Sequence, residues 1–274
     1  MKRDHGMQGE GKISEVMGNP LQDPVERARA QMKQPLPKKF FSKAAVAPAD
    51  PQTGQFAVHL DGRPLRTPAR KLLAVSHGNL AEVIAQEWDR QVDRIDPASM
   101  PVTRLVNIAL DAVADRPGPV RDEIVSYAGT DMLCYRAAEP EGLVSRQRRI
   151  WDPVMDWAAK RFSARFVLSE GIMHVEQPHE AMAAINAALA PFDDDPLRMA
   201  ALNLATTLTG SAILALALGY RAMAADDIWT AAHLDEDWNI ERWGEDDEAM
   251  ARRTLRYRDF MASDTVLGLL AREM

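Results

Sequence analysis

Apolar positions change their period near residue 98. Between 40 and 75 they fall in short runs, at 40–46, 56–60, 64–67 and 72–75, separated by turn residues. In the second run Phe56, Val58 and Leu60 alternate with Ala57 and His59, the two-residue period of a half-buried strand. Asp61-Gly62-Arg63 between two runs is a hairpin signal, and the Asp-Pro-Gln-Thr-Gly stretch at 50–54 reads as a turn. A helix capped by Ser76 or Asn79 follows to about residue 92, with Leu80, Val83, Ile84, Glu87, Trp88 and Gln91 at helical spacing. Packed on the small antiparallel sheet, it makes a two-layer α/β unit.

Beyond Pro101 almost every segment reads as helix: 103–114, 120–128, 143–162, 179–189, 197–220, 224–243 and 245–272. The run 165–175 is ambiguous and fits a short hairpin. Asp195 stands where it would cap the helix starting at Pro196. The fold class expected is therefore α+β. Residues 1–34 form a weakly ordered tail with a short helix near 24–32, residues 35–97 a small α/β domain, and residues 98–274 a larger all-helical domain.

Composition narrows the function classes. At 274 residues, 46% hydrophobic and 27% charged, the chain has the make-up of a soluble globular protein. A net charge of −7 argues against a nucleic-acid binder, which needs a basic stripe for phosphates. Residues 1–19 lack the apolar core of a secretory signal, so a cytoplasmic location is expected. The uncharged stretch 199–220 is long enough to span a bilayer, but Asn203, Thr206, Thr207, Thr209, Gly210 and Ser211 favour a helix buried on all sides. Stable membrane insertion is not expected.

Catalytic constellations do not emerge. Phosphate-cradling glycine motifs, a nucleophile elbow and the H-E-x-x-H pattern are all missing. His174, Glu176 and His179 do not share a helix face, and Pro178 interrupts them. The single cysteine, Cys134, reads as a small buried hydrophobe. No cofactor, metal or catalytic residue is assigned.

The segment 226–248 stands apart. It holds ten acids against one base, Arg242, and three of the six tryptophans, Trp229, Trp238 and Trp243. On one continuous helix Trp229, His233, Glu236, Ile240 and Trp243 would form a narrow stripe. Two readings stay open: a solvated face, with Glu236 paired internally to Arg221 or Arg242, or a partner-binding surface with Trp anchors and a carboxylate aimed at a basic client.

Several motifs carry a resemblance. Leu234-Asp235-Glu236-Asp237-Trp238, continuing to Trp243-Gly244-Glu245-Asp246, is similar to the hallmark of one chaperone family. Its members assemble the catalytic head of F-type ATP synthase by handling the α-subunit. Leu60-Asp61-Gly62-Arg63-Pro64-Leu65-Arg66-Thr67-Pro68, Glu87-Trp88-Asp89 with Gln91, and Thr130-Asp131-Met132-Leu133-Cys134-Tyr135-Arg136 agree, from Lys38 onward. Phe41 and Asn239 stand where Tyr and Gln are common.

The resemblance implies an N-terminal α/β domain followed by an orthogonal-bundle-like helical domain. It implies a non-enzyme that binds the unassembled α-subunit, shields its β-facing surface and is released on assembly; the free protein is expected to be monomeric. Eukaryotic relatives would act in the mitochondrial matrix. The residues it points to for partner binding are Glu236, Trp238, Glu241, Trp243, Glu245 and Asp246. Trp88, also in a motif, is expected in the core of the α/β domain. Competing readings are a metal-assisted hydrolase using the acids of 226–248, or a membrane-associated assembly factor using 199–220.

Overall fold

The computed structural model describes residues 35–50, 52 and 54–271. The expected tail at 1–34 and its short helix lie outside the described residues. The chain divides into two compact units, with the division between Arg116 and Pro117.

In the first unit, strand β1 (Ala44–Asp50) pairs antiparallel with β2 (Gln55–Leu60), with Ala44 opposite Leu60. Two short strands, β3 (Arg63–Pro64) and β4 (Ala74–Val75), also pair with β2. The β2–β3 turn is Asp61-Gly62, both at positive φ (48° and 80°), as a tight hairpin turn requires. The Asp61 carboxylate accepts from the Ser42 and Lys43 amides, which holds it below the usual carboxylate range. The strict alternation expected along β2 does not hold, because Ala57 is as buried as Val58. Ala57 lies between Ala47 of β1 and Ala74 of β4, and its methyl leaves no room for solvent.

Helix α1 (Gly78–Asp89) covers the sheet with Leu80, Ile84 and Trp88, all fully buried. Glu87, on the same helix, is buried too. It accepts from the Val102 and Thr103 amides (2.9 and 2.7 Å) and the Thr103 hydroxyl (2.6 Å), and so caps helix α2 (Pro101–Ile108). A π-helical turn, Ala109–Val113, continues α2. Its Asp111 accepts from the Thr67 hydroxyl and the Ala69 amide, next to β3. These bonds attach residues 101–113 to the sheet, so the division falls later than the 97/98 join read from the sequence.

The second unit is built from α3 (Pro117–Gly129), α4 (Glu141–Phe162), α5 (His179–Ala188), α6 (Pro196–Thr209), α7 (Ala212–Gly219), α8 (Ala225–Ala232), α9 (Leu234–Trp243) and α10 (Asp247–Leu269). At its centre lies α7, of which every residue is buried. The expected helix 197–220 is in fact two. Gly210 takes a left-handed conformation (φ 69°), and Ser211 caps α7 by accepting from the Leu214 amide at 3.0 Å. Asp131, fully buried, accepts from the Ser211 hydroxyl (2.9 Å), the Ile213 amide (3.1 Å) and the Leu133 amide (3.1 Å). Burial pushes its carboxyl up to about 6, against the pull of those donors. Because of this break, no helix among the described residues is long and apolar enough to cross a membrane.

The expected helix 224–243 is likewise two, broken at His233 (φ −111°, ψ 18°). Asp235, Glu236 and Asp237 occupy the first turn of α9, where carboxylates favour a new helix start over a continued one. Asp195 does cap α6, accepting from the Leu197 amide at 3.0 Å. The run 165–175 contributes β6 (Ser169–Glu170), paired parallel with β5 (Tyr135–Arg136), and an exposed loop.

Candidate functional site

With the break at His233, the stripe expected along 229–243 does not exist, and its members part company. Trp229 turns into the core, where its ring lies 3.9 Å from that of His233 and 5.3 Å from those of Tyr257 and Phe260. Burial holds His233 below its ordinary pKa, and its Nδ1 lies 2.9 Å from the Trp229 carbonyl. Trp243, at the other end of α9, is 85% exposed.

Helix α9 is fixed to α4 along its length. The Trp151 indole of α4 donates to the Ala231 carbonyl at 2.8 Å, placing the end of α8. Gln147 donates to Asp235 (2.8 Å) and accepts from the Ala137 amide (2.9 Å). Arg146 grips Glu241 with two parallel bonds of 2.8 Å, which holds the Glu241 carboxyl below the usual carboxylate range. Trp238 lies against Gly142, where a Cβ would sit 2.8 Å from the indole edge, so α4 has a glycine at the contact. Arg242, the base of the segment, stacks over the Trp238 ring at 4.2 Å. From the other side Arg253 of α10 pairs with Asp237.

The ten acids of 226–248 therefore sort by partner. Asp226 accepts from Tyr257, Asp235 from Gln147, Asp237 from Arg253, Glu241 from Arg146 and Glu248 from Arg252, while Asp246 caps α10 through the Ala249 amide. Asp227, Glu236, Glu245 and Asp247 are exposed and have no hydrogen-bond or salt-bridge partner among the described residues. Neither base considered for Glu236 meets it, since Arg221 pairs with Asp264 and Arg242 covers Trp238.

The six residues singled out in the sequence thus divide in two. Trp238, Glu241 and Asp246 hold the segment in shape. Glu236, Trp243 and Glu245 stand free on it. Sequence reasoning missed Arg146 and Gly142 and gave Gln147 no role toward α9; all three lie about a hundred residues earlier and carry no local signal of that role.

No group of three His, Cys, Asp or Glu among the described residues is placed to hold a metal ion. Cys134 is buried, and burial pushes its thiol up to about 12, far from a reactive thiolate. The arrangement offers charge and an exposed indole on a braced helix, with no nucleophile or general base set against it.

Known proteins place the chain in a family. A model of the ATP12 chaperone protein family matches residues 38–159. The crystal structure of the Atu1473 protein from Agrobacterium tumefaciens is 46% identical, over 97% of this chain and 98% of that one, with a TM-score of 0.84. The crystal structure of Atp12 from Paracoccus denitrificans is 35% identical, over 86% of this chain and 99% of that one, with a TM-score of 0.78. The chain belongs to the ATP12 chaperone family. Across kingdoms the likeness persists: the mitochondrial protein atp12 of Schizosaccharomyces pombe is 22% identical over 260 residues, 90% of this chain and 88% of that protein. The family is one of chaperones, not enzymes. Its model ends within α4, so α9 lies outside that match.

Proposed function

We propose that this ATP12-family chaperone assembles the catalytic head of ATP synthase in the bacterial cytoplasm by binding the unassembled α-subunit, with α9 as the contact. The observation that carries this reading is the pairing of Glu236, exposed and without a partner, with an exposed Trp243 on a helix braced by Arg146, Gln147 and Trp238. A partnerless carboxylate two helical turns from an exposed indole can serve an interface: the aromatic supplies buried area and the charge selects a basic partner. Bracing matters because a preordered surface loses less entropy on binding. An α-subunit without β exposes the surface meant for β and is prone to aggregate. A chaperone covering it by a surface of modest area is displaced when β binds more tightly.

The test is capture of isolated α and β subunits by the tagged protein, repeated with Glu236→Lys. The wild type is expected to hold α and not β. The variant is expected to keep the wild-type unfolding midpoint within about 0.5 kcal/mol and to bind α at least tenfold more weakly. Capture of β alone, or of neither subunit, overturns the reading, and unaltered binding by the variant removes α9 from it.

A further inference from the structure

Loop 167–173 contains β6 and the turn after it, ahead of the chain leading to α5, and α9 does not contain it. Of the eleven large apolar side chains exposed among the described residues, four (Val167, Leu168, Ile172 and Met173) fall within these seven positions. Single exposed apolar residues are ordinary on any surface, but a cluster is not. Ile172 is 96% exposed and Met173 75%, which places them at the tip.

The loop is braced at its base. The buried Gln177 side chain accepts from the Val167 amide (2.9 Å) and donates to the Val167 carbonyl (3.0 Å). The Gly171 amide donates to the Arg136 carbonyl at 2.9 Å, and the Ser169 hydroxyl to the Met173 carbonyl at 3.2 Å. Between these anchors the chain turns at Gly171-Ile172 and holds its apolar tip in water. A loop that has already lost its freedom binds at small entropic cost, and each such side chain buried adds roughly ten- to a hundredfold in affinity.

The surroundings decide the occupant. From Phe166 to Glu180 the chain carries Glu170, Glu176 and Glu180 and no Lys or Arg. The loop is also stitched to the acidic helix. Arg136 holds Gly171, the next residue, Ala137, donates to Gln147, and Gln147 donates to Asp235 in the first turn of α9. These bonds tie the base of the loop to the first turn of α9, the helix that carries the partnerless Glu236. An anionic membrane attracts basic segments and repels this one. A protein surface with an apolar cleft and a basic rim is complementary to it.

We propose that loop 167–173 is a second docking element, an apolar prong whose Ile172 and Met173 enter a hydrophobic cleft on the same basic-rimmed client that α9 meets. The client is the α-subunit, so this inference rests on the function proposed above. The double variant I172S/M173S, with α9 untouched, tests it by α-subunit capture beside the wild type and Glu236→Lys. The serine variant is expected to unfold at the wild-type midpoint and to bind α at least tenfold more weakly. I172L/M173L, which keeps the tip apolar, is expected to restore binding. Wild-type binding by the serine variant overturns the prong and leaves the α9 reading standing. Failure of the wild type to bind α overturns both. Two further outcomes overturn the prong alone: co-sedimentation of the wild type, but not the serine variant, with phosphatidylcholine–phosphatidylserine vesicles, or a wild-type dimer that the serine variant dissolves.

Discussion

Asp131 and Glu236 are both carboxylates of an acidic chain, and their surroundings are opposite. Asp131 is fully buried and faces three donors, two of them at the start of α7, while Glu236 stands in solvent with no hydrogen-bond or salt-bridge partner among the described residues. Glu87 repeats the first arrangement in the sheet unit, closing the start of α2. In each buried case the carboxylate takes up amide groups that a helix start leaves without acceptors. The acids of α9 are different: some lean on cationic or amide side chains that fix the helix, and the rest are left to solvent. A count of acids therefore says little about what they do. Burial separates the carboxylates that hold the fold from those available to a partner.

The comparison breaks most visibly at its buried end. Asp131→Ala leaves the Leu133 and Ile213 amides and the Ser211 hydroxyl without their acceptor, in the middle of the helical unit. Each buried group so stranded costs about 1–3 kcal/mol, with incomplete additivity. The expected loss is about 3–5 kcal/mol, read as a fall in the urea midpoint. A loss below about 1 kcal/mol would be the size of an ordinary surface substitution and would erase the distinction from Glu236.

A pH series sharpens the same point. The Asp131 carboxyl titrates at about 6 in the fold against an ordinary value of 3.8, because burial disfavours its charge. A carboxyl raised in the folded state stabilises the fold fully below the unfolded value and loses that contribution as pH rises through the folded one. Two pH units at about 1.4 kcal/mol each make about 3 kcal/mol. Asp131→Asn cannot titrate, whereas the other carboxylates are common to both proteins. The stability advantage of the wild type over this variant is therefore expected to shrink by about 3 kcal/mol between pH 3 and pH 7. A constant gap would mean that the Ile213, Ser211 and Leu133 donors fully offset the burial.

Much of the architecture was legible because its signals are local. Asp61-Gly62 announced its hairpin and Asp195 its helix start. The two broken helices were not legible. The break at Gly210-Ser211 is held by Asp131, 80 residues earlier, and an apolar run gives no warning of a distant acceptor. At His233 the continuous helical period masked a break favoured by three acids in a row and a Trp229–His233 stack. For the site, the acidic segment was visible but the pairing within it was not. Trp238 and Trp243 look alike in the sequence; Gly142 and Arg242 make one a packing residue and leave the other exposed. Loop 167–173 carried no periodic signal, since its exposure follows from the Gln177 clamp.

The mildest change probes the middle of the comparison, where a carboxylate is neither buried nor free. Glu241 is gripped by Arg146 through two bonds of 2.8 Å, yet the side chains remain 54% and 25% exposed. Pairs this accessible are worth about 0–1 kcal/mol, because solvent screens the attraction and ordering two long side chains costs entropy. Arg146→Ala is therefore expected to lower stability by less than about 1 kcal/mol. Its larger effect is local: amide exchange along α9 should quicken several-fold while that of buried α7 stays at the wild-type rate. Gln147 and the Trp238 contact with Gly142 remain to hold the helix, so α9 loosens without detaching. A loss of 2 kcal/mol or more, or faster exchange in α7 as well, would move Glu241 from the contact surface into the company of Asp131, as a carboxylate on which the fold depends.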